Sequence, residues 1–446
     1  MGLNAIQNIF FVGIGGIGMS AIASYFVKNG KRVMGYDKTP SVVTKGLLRQ
    51  GVQLTFTDDV NEIPLLFRNK IETLVVYTPA IPKNSKILNY FTDKGFTVLK
   101  RAAVLGEITK DTLCYAVAGT HGKTTTSSIL GHIMHQCGTE ATSFLGGITE
   151  NYNSNLILGK DKIAVVEADE FDRSFLQLSP DVACITNMDA DHLDIYGKKE
   201  ELEKSFKEFA DKVTDTLIVK KGLPLKGLTY AVEEQADYQA QNLRIENGSF
   251  VFDVQTPNGF VKDVIFHLPG RHNVSNALVS VAMAEKHGLS LEEIKAALNT
   301  YRGVKRRFSY KIKEEDFVLI DDYAHHPTEI DAVENTVREM YPGKKVLAVF
   351  QPHLFTRTRD FVDDFAKSLS KFDEVVLMEI YPARELPIQG VTSSWLLSKI
   401  ENDHKSIQSE KEIIENLKTT QAQVVVMLGA GDVGVLVDEV AKAIKR

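Results

Sequence analysis

The stretch "AGTHGKTTT", residues 118–126, constrains the fold more than any other in this 446-residue chain. The apolar run "LCYAVA" leads into it and the helical pattern "SSILGHIMHQ" leaves it. A buried strand that turns on glycines straight into a helix is the local geometry of a phosphate loop in a parallel sheet. Gly119 and Gly122 let backbone N–H groups curl around phosphate oxygens, and the helix N-terminus adds partial positive charge. Lys123 has the reach for β- and γ-phosphates, and the Thr124 hydroxyl is a ligand for Mg²⁺. The whole loop, Gly119, Thr120, His121, Gly122, Lys123, Thr124 and Thr125, is therefore expected to hold a nucleotide. The strict spelling G-x-x-x-x-G-K-[ST] fails at its first position, where Val117 stands, so this is a variant of the loop.

A second glycine turn opens the chain. Gly13, Gly15 and Gly18 spell G-x-G-x-x-G after the strand "NIFFV", and Asp37 closes the next strand, "KRVMGYD". Alone, that fingerprint points to an NAD-dependent oxidoreductase, but such an enzyme leaves the downstream phosphate loop unexplained. The uncharged run from Ile9 to Val27 is long enough to raise a membrane span, yet four glycines at its centre suit a tight turn. No basic segment precedes it, no small-residue cleavage site follows, and Met1-Gly2 lacks the Ser or Thr at position 6 of a myristoylation signal. With 43% hydrophobic and 25% charged residues the chain reads as an ordinary soluble globular protein. A net charge of −6 argues against a surface built for nucleic acid or anionic lipid. Cys114, Cys137 and Cys184 form no C-x-x-C pair, which fits a reduced, cytoplasmic protein.

Strands alternate with helical stretches along most of the chain, which implies doubly wound α/β sheets. "TLVVYTPAI" and "FTVLK" complete a first unit. "KIAVVEADE" and "VACITNMDADHLDIYG" flank the phosphate loop in a second, which continues into an antiparallel section with a hairpin turn at Asn247-Gly248. "FVLIDDYAHHP", "KVLAVFQPH", "EVVLMEIYP" and "VVVMLGAG" are the strands of a third. The expected organisation is a Rossmann-like N-terminal domain (1–107), a central P-loop-type ATPase domain (108–305) and a C-terminal Rossmann-like domain (306–446).

Chemistry-bearing residues gather at the strand ends. Glu167 is the first carboxylate after a buried strand, and alternation would set Asp169 on the same face, a donor pair suited to Mg²⁺ beside a phosphate loop. His192, among Asp189, Asp191 and Asp194, is a candidate second metal ligand. His272, Asn273 and Asn276 sit at a turn-to-helix junction, where Asn suits an adenine edge or a helix cap. Arg306 and Arg307 are candidates for phosphate, or a solvated basic loop. His325, His326, His353, Arg357 and Arg359 end two strands of the third unit and should share a crevice, with Arg the natural fork for a carboxylate. A second G-x-G-x-x-G, at Gly429, Gly431 and Gly434, shows how little that motif decides alone.

The blocks "GIGGIGMS", "GTHGKTT", "EADEFD", "DADHLD", "LPGRHNVSNA", "DDYAHHPTE" and "FQPHLFTRTRD" occur in the order and spacing of the Mur ligases, which the chain resembles over essentially its whole length. These are ATP-dependent amide-forming enzymes of peptidoglycan precursor synthesis. "DDYAHHP" and "QPHLFTRT" resemble the branch that adds the first amino acid and its near relative, which attaches an intact tripeptide. The compact "EADEFDRSFLQLSPDVACITN" favours the first. The resemblance implies an N-terminal domain that holds a UDP-sugar, a central ATPase, and a C-terminal domain that brings the amino acid and closes over the site. It implies that the lactyl carboxylate of UDP-N-acetylmuramate attacks the γ-phosphate of ATP, and that L-alanine then displaces phosphate from the acyl phosphate.

Roles follow from the same resemblance. Thr124 and Glu167 would hold the first Mg²⁺ and His192 help hold the second. His272, Asn273 and Asn276 would bracket adenine, and Arg306 or Arg307 touch the nucleotide. Tyr323, His325 and Arg357 would meet the alanine. Gly15, Gly16, Ile17, Asp37, Thr78, Ala80 and Arg101 would meet the UDP-sugar, with Asp37 on the uridine side. Lys123, Glu167, His192, His325 and Arg357 form the expected catalytic set. Two departures stand out. Leu354 follows the "QPH" histidine where several relatives carry Arg, which leaves Arg357 and Arg359 to supply that charge. Lys204 and Lys207 are not in register for the carbamylated lysine of other members. Small-molecule partners only are expected, with no nucleic acid and no membrane, in a monomer or weak homodimer.

Overall fold

The first glycine turn follows β1 (Asn8–Val12), the central strand of a sheet completed by β2 (Arg32–Tyr36), β3 (Gln53–Thr55), β4 (Thr73–Tyr77) and β5 (Thr97–Lys100). A computed structural model describes residues 6–160, 162–189, 196–383 and 385–444. The order is β3-β2-β1-β4-β5, and every pair is parallel. The chain winds outward from β1 to β3, then crosses to β4 on the other side of β1. The carboxyl ends of β1 and β4 therefore flank a topological switch point, where open α/β sheets bind ligands. All of β1 is buried because both faces are covered. Phe10 packs against Phe67 and Phe91 on one face, and Phe11 against Phe26 on the other.

The second sheet contains β6 (Leu113–Ala118), β7 (Thr142–Phe144), β8 (Leu156–Ile157), β9 (Ile163–Glu167), β10 (Val182–Ile185), β11 (Thr216–Lys220), β12 (Leu228–Val232), β13 (Tyr238–Glu246), β14 (Ser249–Thr256) and β15 (Gly259–Phe266). Its order is β15-β14-β13-β12-β11-β10-β6-β9-β7-β8. The strand that feeds the phosphate loop, β6, lies parallel between β9 and β10, again at a switch point. The parallel part runs further than the sequence led us to expect, because β11, β12 and the start of β13 continue it. Antiparallel pairing enters at one edge, where β8 runs against β7, and at the other edge β13, β14 and β15 are hydrogen-bonded neighbours. There Asn247 (φ 50°) and Gly248 (φ 73°) form the expected two-residue turn.

The third sheet comprises β16 (Ser309–Lys313), β17 (Val318–Asp322), β18 (Val346–Phe350), β19 (Glu374–Leu377), β20 (Lys405–Ile407) and β21 (Val424–Leu428), in the order β16-β17-β21-β18-β19-β20. β16 is antiparallel to β17, and the other pairs are parallel. β17, β18 and β21 are buried along their whole length. The chain forms two compact units. One is Met1–Gln241 with Asp253–Val264 and Ser275–Tyr301; the other is Asn242–Phe252 with Ile265–Val274 and Arg302–Arg446. No helix among the described residues is long and apolar enough to cross a membrane.

Candidate active site

The phosphate loop is clamped by the end of the neighbouring strand β10. The Asn187 side-chain oxygen accepts from the Thr120 hydroxyl (2.6 Å) and the His121 N–H (2.8 Å). The Thr186 hydroxyl donates to the His121 carbonyl (2.5 Å), and Asp189 N–H donates to the Thr120 hydroxyl (3.1 Å). A Cβ on Gly119 would land on the Thr186 hydroxyl, so only glycine lets the two strand ends close. Gly122 starts the helix Lys123–Gln136 in the left-handed region (φ 82°), with the Asn276 side-chain oxygen 2.7 Å from where a Cβ would stand. Thr124 and Thr125 follow in the first turn, both buried.

Lys123 is folded into its own loop. Its ammonium donates to the carbonyls of Gly119 (2.7 Å) and Thr120 (3.1 Å) and pairs with Glu170 at 2.8 Å. Burial works against the charge, but Glu170, Asp169 and Glu167 outweigh it and hold the ammonium above its ordinary range. Burial pushes the Glu170 carboxyl up to about 7, with Lys123 pulling the other way. Glu167 ends β9, and its carboxylate occupies the space that a Cβ on Gly146 would need. β9 stops at Glu167, so strand alternation does not reach Asp169. Asp169 instead pairs with Arg101 (3.2 Å) and accepts from the Phe171 N–H (3.1 Å). His192, with Asp191 and Asp194, lies outside the described residues.

The N-terminal turn belongs to the same compact unit. Asp37 holds it, accepting from the N–H groups of Gly15 (2.7 Å) and Thr39 (3.1 Å). Gly16 caps the helix Ile17–Lys28, and the Asn155 amide donates to the Ile17 carbonyl (2.7 Å). Thr78 packs its methyl group over Gly13, and Ala80 sits in the turn closed by Ile81 N–H on the Thr78 carbonyl (3.1 Å). The Arg101 guanidinium lies against Gly18, 3.0 Å from where a Cβ would stand. Arg101 thus touches both the first glycine turn and the acidic end of β9.

The C-terminal unit gathers its own cluster at the ends of β17 and β18. Tyr323 N–H donates to the Arg306 carbonyl (2.8 Å), and the guanidinium groups of Arg306 and Arg307 lie 5.1 and 5.0 Å from its ring centre. The His325 ring sits 5.2 Å from Tyr323 and 5.9 Å from His353. Glu329 accepts from the His325 N–H (2.9 Å), lies 3.2 Å from its Nδ1 and 3.8 Å from Arg307. Asp322 accepts from the N–H groups of Phe308 and Ala324, both at 2.7 Å, and burial pushes its carboxyl up to about 6 against the pull of Arg307. His326 does not join this cluster. It caps the helix Pro327–Met340 and packs edge-on against Phe361 at 4.9 Å. Arg357 is buried, whereas Arg359 is more exposed and pairs with Asp360 (2.7 Å). At the start of the helix Arg271–Lys286, the Asn273 amide donates to the Pro269 carbonyl (2.5 Å), and His272 packs beside Gly270.

Three family models match in succession: "Mur ligase family, catalytic domain" over residues 8–112, "Mur ligase middle domain" over 117–284, and "Mur ligase, glutamate ligase domain" over 306–436. The chain belongs to the Mur ligase family. This Mur ligase is 56% identical to the UDP-N-acetylmuramate–L-alanine ligase of Flavobacterium johnsoniae over 448 residues, covering 100% of both chains. The solved structure of UDP-N-acetylmuramate-alanine ligase from Thermotoga maritima is similar at 27% identity and a TM-score of 0.82, with 98% of each chain covered. A murein peptide ligase from Psychrobacter arcticus shares the fold at 23% identity and a TM-score of 0.74, with 98% of each chain covered.

The donor set of this Mur ligase fits a nucleotide with Mg²⁺. The Thr124 hydroxyl and the Glu167 carboxylate are hard oxygen donors beside a loop whose glycines leave no room for side chains. Among the described residues no group of three or more His, Cys, Asp or Glu is set to hold a metal alone. Sequence reasoning passed over Glu170, Asn187 and Glu329. Nothing local marks Glu170 or Asn187. Glu329 follows His325 by four residues, a spacing that could have revealed it.

Proposed function

We propose that this Mur ligase joins L-alanine to the lactyl carboxylate of UDP-N-acetylmuramate at the expense of ATP, in the cytoplasm, during peptidoglycan precursor synthesis. The observation that carries the reading is the line of charge from Gly18 through Arg101 and Asp169 to Glu170 and Lys123. It joins two phosphate-type turns within one compact unit, as a reaction between two phosphorylated substrates requires. The full-length relatives of the same activity support the choice of alanine.

The UDP-sugar lies on the first turn, with Gly15, Gly16 and Ile17 at its pyrophosphate, Asp37 on the uridine side, and Thr78, Ala80 and Arg101 along the sugar. ATP lies on the second, residues 119–125, with His272, Asn273 and Asn276 at adenine and Arg307 at phosphate. Lys123 leaves the carbonyls of its own loop for the γ-phosphate, and Glu170 remains its counter-ion. Mg²⁺, when bound, neutralises phosphate oxygens, and Thr124 and Glu167 would hold it, with His192 toward a second ion. The carboxylate oxygen attacks the γ-phosphorus and ADP leaves. The alanine amine attacks the acyl carbon, and phosphate departs with that oxygen. Arg357 receives the alanine carboxylate, Tyr323 lines its site, and His325, steadied by Glu329, takes the proton the ammonium must lose. The domains divide as 1–107 for the UDP-sugar, 108–305 for ATP and 306–446 for the amino acid, in a monomer or weak homodimer.

The test is ADP release by the purified chain with UDP-N-acetylmuramate, Mg²⁺ and single amino acids. Turnover with L-alanine is expected. Turnover with an intact tripeptide and none with alanine would overturn the assignment.

A further inference from the structure

The second G-x-G-x-x-G follows β21 and opens the helix Val433–Ile444, the position of a pyrophosphate turn in a Rossmann-like sheet. The proposed function gives it no ligand. Its concavity is filled by a side chain of the same compact unit. Arg306 Nη2 donates to the Gly429 carbonyl (2.5 Å) and Nη1 to the Gly431 carbonyl (3.4 Å). Its Nε lies 3.4 Å from the Asp321 carboxylate on β17. A Cβ on Gly434 would land on the guanidinium carbon. A phosphate turn offers N–H groups to an anion. This turn offers carbonyls to a cation.

The seat reaches the functional cluster through short steps. Arg306 has a left-handed backbone (φ 62°), which a residue with a side chain rarely adopts, and Phe308 shares it (φ 49°). The Arg306 carbonyl accepts from Tyr323, and Asp322 accepts from Phe308. The unusual backbone is therefore tied down on both sides of Arg307. Arg307 in turn lies over Tyr323 and beside Glu329, which holds His325.

We infer that the second G-x-G-x-x-G is a receptor for Arg306, and that Arg306 seated there is a positioning residue that fixes Arg307 and Tyr323 for their ligands. The kinetic part of this inference rests on the proposed function; the seat itself does not. The test uses the full chain with Arg306→Ala, Arg306→Lys, Gly434→Ala and the double variant Arg306→Ala/Gly434→Ala. Arg306→Ala should raise KM for ATP and L-alanine about 10-fold or more, leave KM for UDP-N-acetylmuramate within about 2-fold, and keep the wild-type circular dichroism. Arg306→Lys should restore part of the loss, because an ammonium cannot fork to two carbonyls. Gly434→Ala should lower both the melting temperature and the apparent affinities in the wild-type background, yet change little once Arg306 is Ala. Equal effects of Gly434→Ala in both backgrounds would overturn the receptor. Saturable NADH binding that Gly434→Ala abolishes would also overturn it, by making the turn a nucleotide site. A wild-type chain inactive with alanine would count against the proposed function, while the melting-temperature cycle would still decide the seat.

Discussion

At the residue scale the site turns on a cation that the fold holds in reserve. Lys123 is buried against Glu170 and two carbonyls, so its charge is present before any phosphate arrives. Lys123→Ala should lower kcat about 10³-fold, the scale of losing a preorganised charge at a developing anion. It also leaves Glu170 buried without its partner, so Lys123→Ala should unfold at lower urea than Lys123→Ala/Glu170→Gln. A single variant as stable as the double one would contradict the pairing. Asn187 tests the clamp. Asn187→Ala removes the acceptor for Thr120 and His121, and should weaken ATP binding about 10-fold in an equilibrium nucleotide titration. The turn that leads into Lys123 and Thr124 was legible because glycines after an apolar strand are a local pattern, and Glu167 at the end of β9 because it is the first carboxylate after another such run. Glu170 was not, since it meets Lys123 from 47 residues away through the pairing of β6 with β9.

At the element scale, the helix Lys123–Gln136 keeps the loop in place because nearly all of it is buried. Its far end is anchored by His132, which contacts the Tyr152 hydroxyl (2.8 Å), the Thr300 hydroxyl (2.9 Å) and the Ala297 carbonyl (3.1 Å). Burial holds this imidazole neutral, with its pKa lowered from 6.5 to about 4. The unfolded chain then binds a proton that the folded chain refuses. The stabilisation is whole above pH 6.5 and is lost as pH falls from there toward 4, about 3 kcal/mol in all. Urea titrations at pH 7 and pH 4.5 should show most of this loss in the wild type and not in His132→Gln. Equal pH dependence would contradict it. The Asn247-Gly248 hairpin was legible because its turn chemistry is specific. The parallel course of β11 and β12 was not, because the alternation of apolar residues is the same in either direction.

At the scale of the whole molecule, three sheets, each with parallel central strands, carry three glycine turns that do different work. The first two serve phosphorylated ligands in the proposed function, and the third seats an arginine. Spelling could not separate them, since what fills each turn arrives from far along the chain: Arg101 beside Gly18, and Arg306 at Gly429, 123 residues away. Arg101→Ala should raise KM for UDP-N-acetylmuramate and lower kcat, while the affinity for ATP alone stays within about 2-fold, since Arg101 touches the first turn and not the second. Weakened ATP binding in that variant would contradict the division of labour between the turns. The most direct measurement follows one oxygen atom. With ¹⁸O in the lactyl carboxylate of UDP-N-acetylmuramate, ATP and L-alanine, the acyl-phosphate route predicts one ¹⁸O in the released phosphate per amide formed. Phosphate free of label, with alanine incorporated, would contradict it.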